Sequence, residues 1–264
     1  MRAEAEPPSS WDGFEYEKVS ALQRRVGLPF VDALDLDTPH RILDVGCGDG
    51  FLTEKIAVRS QADVVGVDFS AAMLARARER SSERLSFVEL DVNTMVFDEP
   101  FDLIVSLNTL HWVLDLPGAF ARLFAAEADG GQLVCQLVGA SEVPAIEDMA
   151  VVITKESAWR SSFEPDFRPY VHPAESELRQ SAEGAGYRCI EITAWTERFT
   201  FPSERDFQRW CAAGMSVWTN LLPEARRASF IDAVVARYSG LHGVPREFQF
   251  AQVRVSAERP RQSA

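Results

Sequence analysis

Residues 41–50, Arg41-Ile42-Leu43-Asp44-Val45-Gly46-Cys47-Gly48-Asp49-Gly50, decide the fold. Ile42, Leu43 and Val45 form a short apolar run that ends in glycines, the pattern of a buried parallel strand breaking into a tight turn. Glycines recur at 46, 48 and 50, and Leu52, Ile56 and Ala57 follow with helical spacing. Strand, glycine turn and helix open a nucleotide-binding unit, where the backbone turns with positive φ and a ligand comes close to the chain. The dinucleotide fingerprint G-x-G-x-x-G is not met, because Phe51 occupies the place of the third glycine and Gly50 stands one position earlier. The G-K-[ST] ending of a P-loop is also missing. What is left is an acid on the strand, Asp44, ahead of G-x-G-x-G.

Two further acids follow at strand ends. Residues 63–69 (DVVGVDF) read as a second buried strand ending in Asp68. A carboxylate there accepts hydrogen bonds from both ribose hydroxyls of a nucleotide lying across the glycine turn, in nicotinamide enzymes as well as others. Ser70 caps the next helix, whose Met73, Leu74 and Ala77 share a face; spacing leaves Met73 open between core residue and ligand contact. Residues 85–92 (LSFVELDV) form the third strand, carrying Asp91 and Val92 at its end. Residues 101–108 (FDLIVSLN) form the fourth, which places Asn108, Thr109, His111 and Trp112 at the carboxyl edge where open α/β sheets bind ligands. A helix starts at Leu116 with Pro117 in its first turn, and Asp129-Gly130-Gly131 reads as a turn into a fifth strand at residues 132–139.

This chain resembles the class I S-adenosylmethionine-dependent methyltransferases over residues 14–140. The His111-Trp112-Val113 run after the fourth strand is similar to the trans-aconitate and malonyl-carrier-protein methyltransferase branch, with Asp129-Gly130-Gly131 where Pro-Gly-Gly is usual. The resemblance implies a doubly wound α/β fold: a seven-stranded mixed sheet with its last strand antiparallel, N-terminal helices and a helical insertion before that strand. It implies S-adenosylmethionine as cofactor, with S-adenosylhomocysteine as product, held by Asp44, Gly46, Cys47, Gly48, Asp68, Phe69, Met73, Asp91, Val92 and Asn108. It implies a small-molecule acceptor, a carboxylic acid methylated on oxygen. For the acceptor pocket the candidates are Trp11, Tyr16, Gln23, His111 and Trp112, with ordinary helix packing as the other reading of Trp11, Tyr16 and Gln23. His111 is the candidate catalytic residue, as base or as substrate orienter. Two other classes stay open: a protein using the same cofactor pocket for a hydroxylase-like or assembly role, and a nicotinamide oxidoreductase, against which Phe51 and Asp91 speak.

Composition bounds the rest. With 264 residues, 46% of them hydrophobic, the chain can bury one sizeable core, read as a single domain over residues 11–257. Its parts would be a helical cap at 11–36, a cofactor-binding core at 38–140, a loop or lid at 141–172 and a helical insertion at 203–243. The tails 1–10 and 258–264 read as disordered. A net charge of −13 argues against nucleic acid. Cys47, Cys135, Cys189 and Cys211 lie far apart with no C-x-x-C pair, so neither a disulfide framework nor a metal site is suggested. No apolar run nears the ~20 residues of a membrane span. The expectation is a cytoplasmic protein, a monomer or weak homo-oligomer. The stretch 141–170, with Trp159, Phe163, Phe167 and Tyr170 beside Arg160 and Arg168, reads either as a substrate wall or as packing against the sheet.

Overall fold

A computed structural model describes residues 21–243 and 246–261, which form two compact units. The larger comprises residues 22–140, 170–196 and 251–261 of the described chain. Its chain order is α1 (Ala21–Asp32), β1 (Arg41–Val45), α2 (Phe51–Arg59), β2 (Asp63–Asp68), α3 (Ala71–Ala77), β3 (Leu85–Glu89) and β4 (Phe101–Leu107). Then come α4 (Leu116–Ala126) and β5 (Glu127–Val138), with α6 (Glu175–Ala185) returning after the excursion of α5 (Ile146–Thr154). Strands β6 (Arg188–Thr200) and β7 (Glu247–Glu258) complete a seven-stranded sheet of order β3-β2-β1-β4-β5-β7-β6.

Strands β1 to β5 pair in parallel, and β7 pairs antiparallel with β5. The expected sheet is therefore present, last strand included. Adjacent residues of the central strands enter opposite cores, as a period of two requires. Ile42, Leu103 and Val105 pack with Phe30 and Val31 of α1, Ile56 of α2 and Leu74 of α3. Leu43, Ile104, Leu133 and Cys135 pack on the other face with Phe120 and Leu123 of α4 and Leu178 of α6. Because β2 and β4 flank β1 on opposite sides, the chain reverses direction of winding there, and the crevice at the carboxyl ends of β1 and β4 is the topological switch point.

Three readings are corrected. Asp129-Gly130-Gly131 is an irregularity inside β5, not a turn before it: Phe101 opposes Glu127 while Leu103 opposes Gln132, and Gly130 takes φ +81°. Of the tail read as disordered, residues 258–261 are described, and Arg259 holds them in place. Arg259 Nη1 donates to the carbonyls of Phe124 (2.7 Å) and Glu127 (2.6 Å), and its Nε pairs with Asp129 at 3.1 Å. Finally, the stretch 141–172 holds a real helix, α5, whose Ile146, Met149, Ala150 and Ile153 are buried at helical spacing.

The smaller unit comprises residues 141–169 and 197–250 of the described chain, with α5, α7 (Glu204–Gly214), α8 (Ser216–Thr219) and α9 (Glu224–His242). Its core is aromatic: Trp159 and Phe163 stand against Phe230 at 5.2 and 5.6 Å between ring centroids, and Trp210 against Phe248 at 4.5 Å. Tyr238 Oη accepts the Gln249 N–H at 2.8 Å and donates to the Gln249 carbonyl at 3.0 Å, tying α9 to the start of β7. Among the described residues no helix is long and apolar enough to cross a membrane.

Candidate functional site

The turn after β1 is built from backbone. Gly46 N and Cys47 N both donate to the Val67 carbonyl, at 2.8 and 3.0 Å, so the turn folds over the end of β2. Gly46 has φ +77°, and a Cβ there would fall 2.0 Å from Thr109 Oγ1. That glycine makes room for the loop after β4. Gly48 differs: its φ is +56° and nothing lies within 4 Å of where a Cβ would stand. This is the one place in the turn where open space meets a left-handed backbone.

The carboxylates gather around this turn. Asp44 is 6% exposed and accepts from Thr53 Oγ1 at 2.7 Å. Burial raises its pKa to about 6; the Thr53 bond opposes the rise and the charge of Asp68 adds to it. Asp68 is also raised by burial, offset in part by the N–H groups it receives: Ser70 N on Oδ1 at 2.8 Å and Gly48 N on Oδ2 at 3.0 Å. Asp91 lies two residues past β3, and its Oδ1 accepts from Asn93 N and Asn93 Nδ2 at 2.8 and 2.9 Å. Phe69 is 39% exposed next to Asp68, whereas Val92 and Met73 are buried, Val92 against Val67 and Met95. Cys47 is buried as well, and burial pushes its thiol up, so it is neutral.

A cavity of about 30 Å³ adjoins the turn, lined by Phe30, Val31, Asp44, Gly46, Cys47, Leu52, Ile56 and Leu107. Helix α1 supplies its roof. Gln23, Gly27, Phe30 and Val31 recur at helical spacing on one face of α1, and a Cβ at Gly27 would strike Leu52 at 2.4 Å. Gln23 Oε1 is buried on that face and has no hydrogen-bond partner among the described residues. Trp11 and Tyr16 lie outside the described residues. Phe51, where a dinucleotide site has glycine, carries Arg24 of α1 over its ring at 4.5 Å. The set fits a nucleoside ligand: an open glycine, a carboxylate whose oxygens are each fixed by one amide and keep lone pairs, and an orphaned amide oxygen on the facing helix.

On the other side of the crevice, Asn108 ends β4 with φ +51°, a conformation asparagine tolerates better than most side chains. Its N–H donates to the Gln136 carbonyl at 2.7 Å and its Oδ1 accepts from Gln252 Nε2 at 3.1 Å. Gln252 Oε1 accepts from Gln136 Nε2 at 2.6 Å, and Gln136 Oε1 accepts from Arg254 Nε and Nη2 at 3.3 and 3.1 Å. His111 sits in a one-turn helix, Leu110–Trp112, and is 3% exposed. Its Nδ1 accepts the Val138 N–H at 3.4 Å, so the ring proton is on Nε2. Burial, with His172 adding to it, holds its pKa well below the ordinary histidine value. Trp112 and Tyr170 complete an aromatic group, their centroids 6.3 Å apart.

The structure places Asp44, Asp68, Asn108, Thr109 and His111 at or just beyond the carboxyl ends of β1, β2 and β4. Reading the sequence passed over Thr53, Gln136, Gln252 and Arg254. Thr53 follows the motif closely enough to have been suspected; the residues of β5 and β7 carry no local signal.

Comparison with known proteins agrees with this geometry. Residues 42–131 match the family described as a methyltransferase domain. Trans-aconitate 2-methyltransferase of Acidovorax sp. (strain JS42) is 27% identical over 262 residues, covering 94% of this chain and 98% of its own. Malonyl-[acyl-carrier protein] O-methyltransferase of Acetivibrio thermocellus is 32% identical over 128 residues, 47% of this chain and 45% of that protein. A solved structure of Haemonchus contortus phosphoethanolamine N-methyltransferase 2, complexed with phosphomonomethylethanolamine and S-adenosylhomocysteine, superposes with a TM-score of 0.63 over 94% of this chain and 57% of that one. At 18% identity that likeness is one of fold. A matched methyltransferase domain over residues 42–131, carried on this sheet order and glycine turn, supports a class I S-adenosylmethionine-dependent methyltransferase.

Proposed function

We propose that the chain methylates a carboxylate oxygen of a small organic acid. One observation carries the reading: the histidine at the ligand edge has no lone pair to spare. His111 Nδ1 is taken by the Val138 N–H and Nε2 bears the proton, so His111 can donate a hydrogen bond but not accept a proton. An acceptor that needed deprotonation, such as a phenol or an ammonium group, would find no base there. A carboxylate, with a pKa near ~4, arrives already ionised. The trans-aconitate and malonyl-carrier relatives support the same class of acceptor.

S-adenosylmethionine, when bound, supplies an electrophilic methyl group whose transfer to a carboxylate oxygen moves no proton. The residues of this chain then bind, orient and exclude water. Asp68 would take the ribose hydroxyls, Gly48 would leave room for the ligand, and Phe69 and Asp91 would serve the adenine. Asp44, Gly46, Cys47, Asn108 and Gln23 would hold the methionyl end. Met73 and Val92 act as buried supports. His111 orients the acceptor through Nε2–H, and Trp112 shields it.

Radiolabelled methyl transfer to a panel of carboxylic acids, acyl-carrier thioesters, phenols and amines tests the reading. Incorporation as an alkali-labile ester is expected with trans-aconitate or another small acid. Incorporation confined to phenols or amines would overturn it.

A further inference from the structure

Arg254 is a partly buried cation. It lies on β7 opposite Gln136 of β5, its guanidinium carbon 5.2 Å from the centroid of Phe30, a residue lining the cavity beside the glycine turn. Two of its five N–H donors reach Gln136 Oε1, which leaves three. Among the described residues no carboxylate pairs with it. Partial burial lowers its pKa in the absence of that partner, though an arginine remains charged. Buried and half-buried guanidinium groups are normally matched by carboxylate or phosphate.

What surrounds it is neutral and aligned. Arg254 donates to Gln136, Gln136 to Gln252, and Gln252 to Asn108 at the tip of β4. Gln136 and Gln252 are 2% and 0% exposed, so the relay is rigid and desolvated. It fixes the guanidinium without neutralising it. Position in the sheet sets the backbone of this cation apart from the glycine turn after β1. Three strand spacings, about 14 Å, lie between β1 and β7. Its side chain returns towards Phe30, one ring away from the cavity.

We propose that Arg254 is the specificity residue for a second, non-reacting carboxylate of the acceptor, so that the preferred substrates are di- or tricarboxylic acids. This rests on the carboxylate reading above. The bound carboxylate keeps its charge before and after methyl transfer, so Arg254 stabilises ground and transition states alike and acts on KM, leaving kcat little changed. A clamp on the reacting oxygen would instead hold the lone pair that has to attack.

The test compares wild type, Arg254→Lys and Arg254→Met with trans-aconitate and with a monocarboxylic analogue of similar size. Calorimetric titration of trans-aconitate into protein saturated with S-adenosylhomocysteine gives a readout independent of turnover. Thermal melting and S-adenosylhomocysteine titration check that each variant is folded and cofactor-competent. Expected for Arg254→Met is a rise of about 10- to 100-fold in KM and Kd for trans-aconitate, with kcat within about twofold and the monocarboxylic acid unaffected. Arg254→Lys should recover part of the loss. Equal loss for both acids, unchanged KM for trans-aconitate, or a loss of S-adenosylhomocysteine affinity instead would overturn the assignment. If wild type methylates no carboxylic acid at all, the functional reading fails and the assignment with it; if wild type is active and Arg254→Met is unchanged, only the assignment fails.

Discussion

The backbone N–H of Gly48 donates to Asp68 Oδ2 at 3.0 Å, joining the tip of β2 to the turn after β1. One carboxylate therefore shapes the turn and presents lone pairs beside it. Asp68→Ala removes the acceptor for the Gly48 and Ser70 amides and, on the proposed reading, for ribose hydroxyls. Its affinity for S-adenosylmethionine should fall by about 1–3 kcal/mol, read by calorimetry. Unchanged affinity would remove Asp68 from the cofactor site.

Gly46 and Gly48 should respond oppositely to alanine. A Cβ at 46 collides with Thr109 at 2.0 Å, so Gly46→Ala should lower stability by about 1–3 kcal/mol through overpacking, seen as a drop in melting temperature. A Cβ at 48 meets nothing, so Gly48→Ala should lose only the about 1–2 kcal/mol of left-handed strain while cofactor binding collapses. A Gly48→Ala protein that binds normally would show that the open side of the turn is not where the ligand lies.

His111 predicts two pH profiles. With a neutral imidazole and no proton to move, kcat should be flat between about pH 6 and 9 at saturating substrate. A limb near the ordinary histidine pKa would reinstate the base. For stability the sign is set by a folded-state pKa depressed below the unfolded one. The unfolded chain takes up the proton first, so stability present above about pH 6.5 is lost as pH falls, by up to about 1.4 kcal/mol per pH unit. His111→Asn should flatten that acid limb in pH-dependent denaturant titrations.

Glu127 works in the other direction. It is 1% exposed at the start of β5, and burial raises its pKa to about 8, offset only in part by Tyr187 and Arg259. A raised carboxylate pKa means the folded state holds the proton longer, so stability falls as pH rises from about 4.5 to about 8. Each pKa unit corresponds to about 1.4 kcal/mol, which relaxation around the charged group reduces, so Glu127→Gln should gain about 2 kcal/mol relative to wild type between pH 5 and pH 9. Parallel curves for the two proteins across that range would show that the carboxyl is not held neutral.

Local pattern made half of this molecule readable. The apolar run before Gly46, the acid at Asp68 and the Ser70 cap, whose Oγ accepts from Met73 N at 3.4 Å, are signalled within a few residues of where they act. Helix α5 carried its period in Ile146, Met149, Ala150 and Ile153, but the aromatic and arginine residues that follow hid it. The amide relay could not be read in advance. Gln252 meets Asn108 across 144 positions, and nothing near either residue specifies the β5–β7 register that brings them together. Arg259 was misplaced for the same reason: its partners, Phe124 of α4 and Glu127 and Asp129 of β5, are made 130 to 135 residues earlier.

Strand β7 is made after every other strand of the sheet, yet it lies inside that sheet, between β5 and β6. During translation the flank of β5 must therefore stay bare until residue 258 has left the ribosome, a long row of unpaired amides and carbonyls open to a neighbouring nascent chain. Insertion of β7 is the step that closes this gap, and because it also delivers Arg254 and Gln252, the amide relay to Asn108 forms only when that exposed flank disappears.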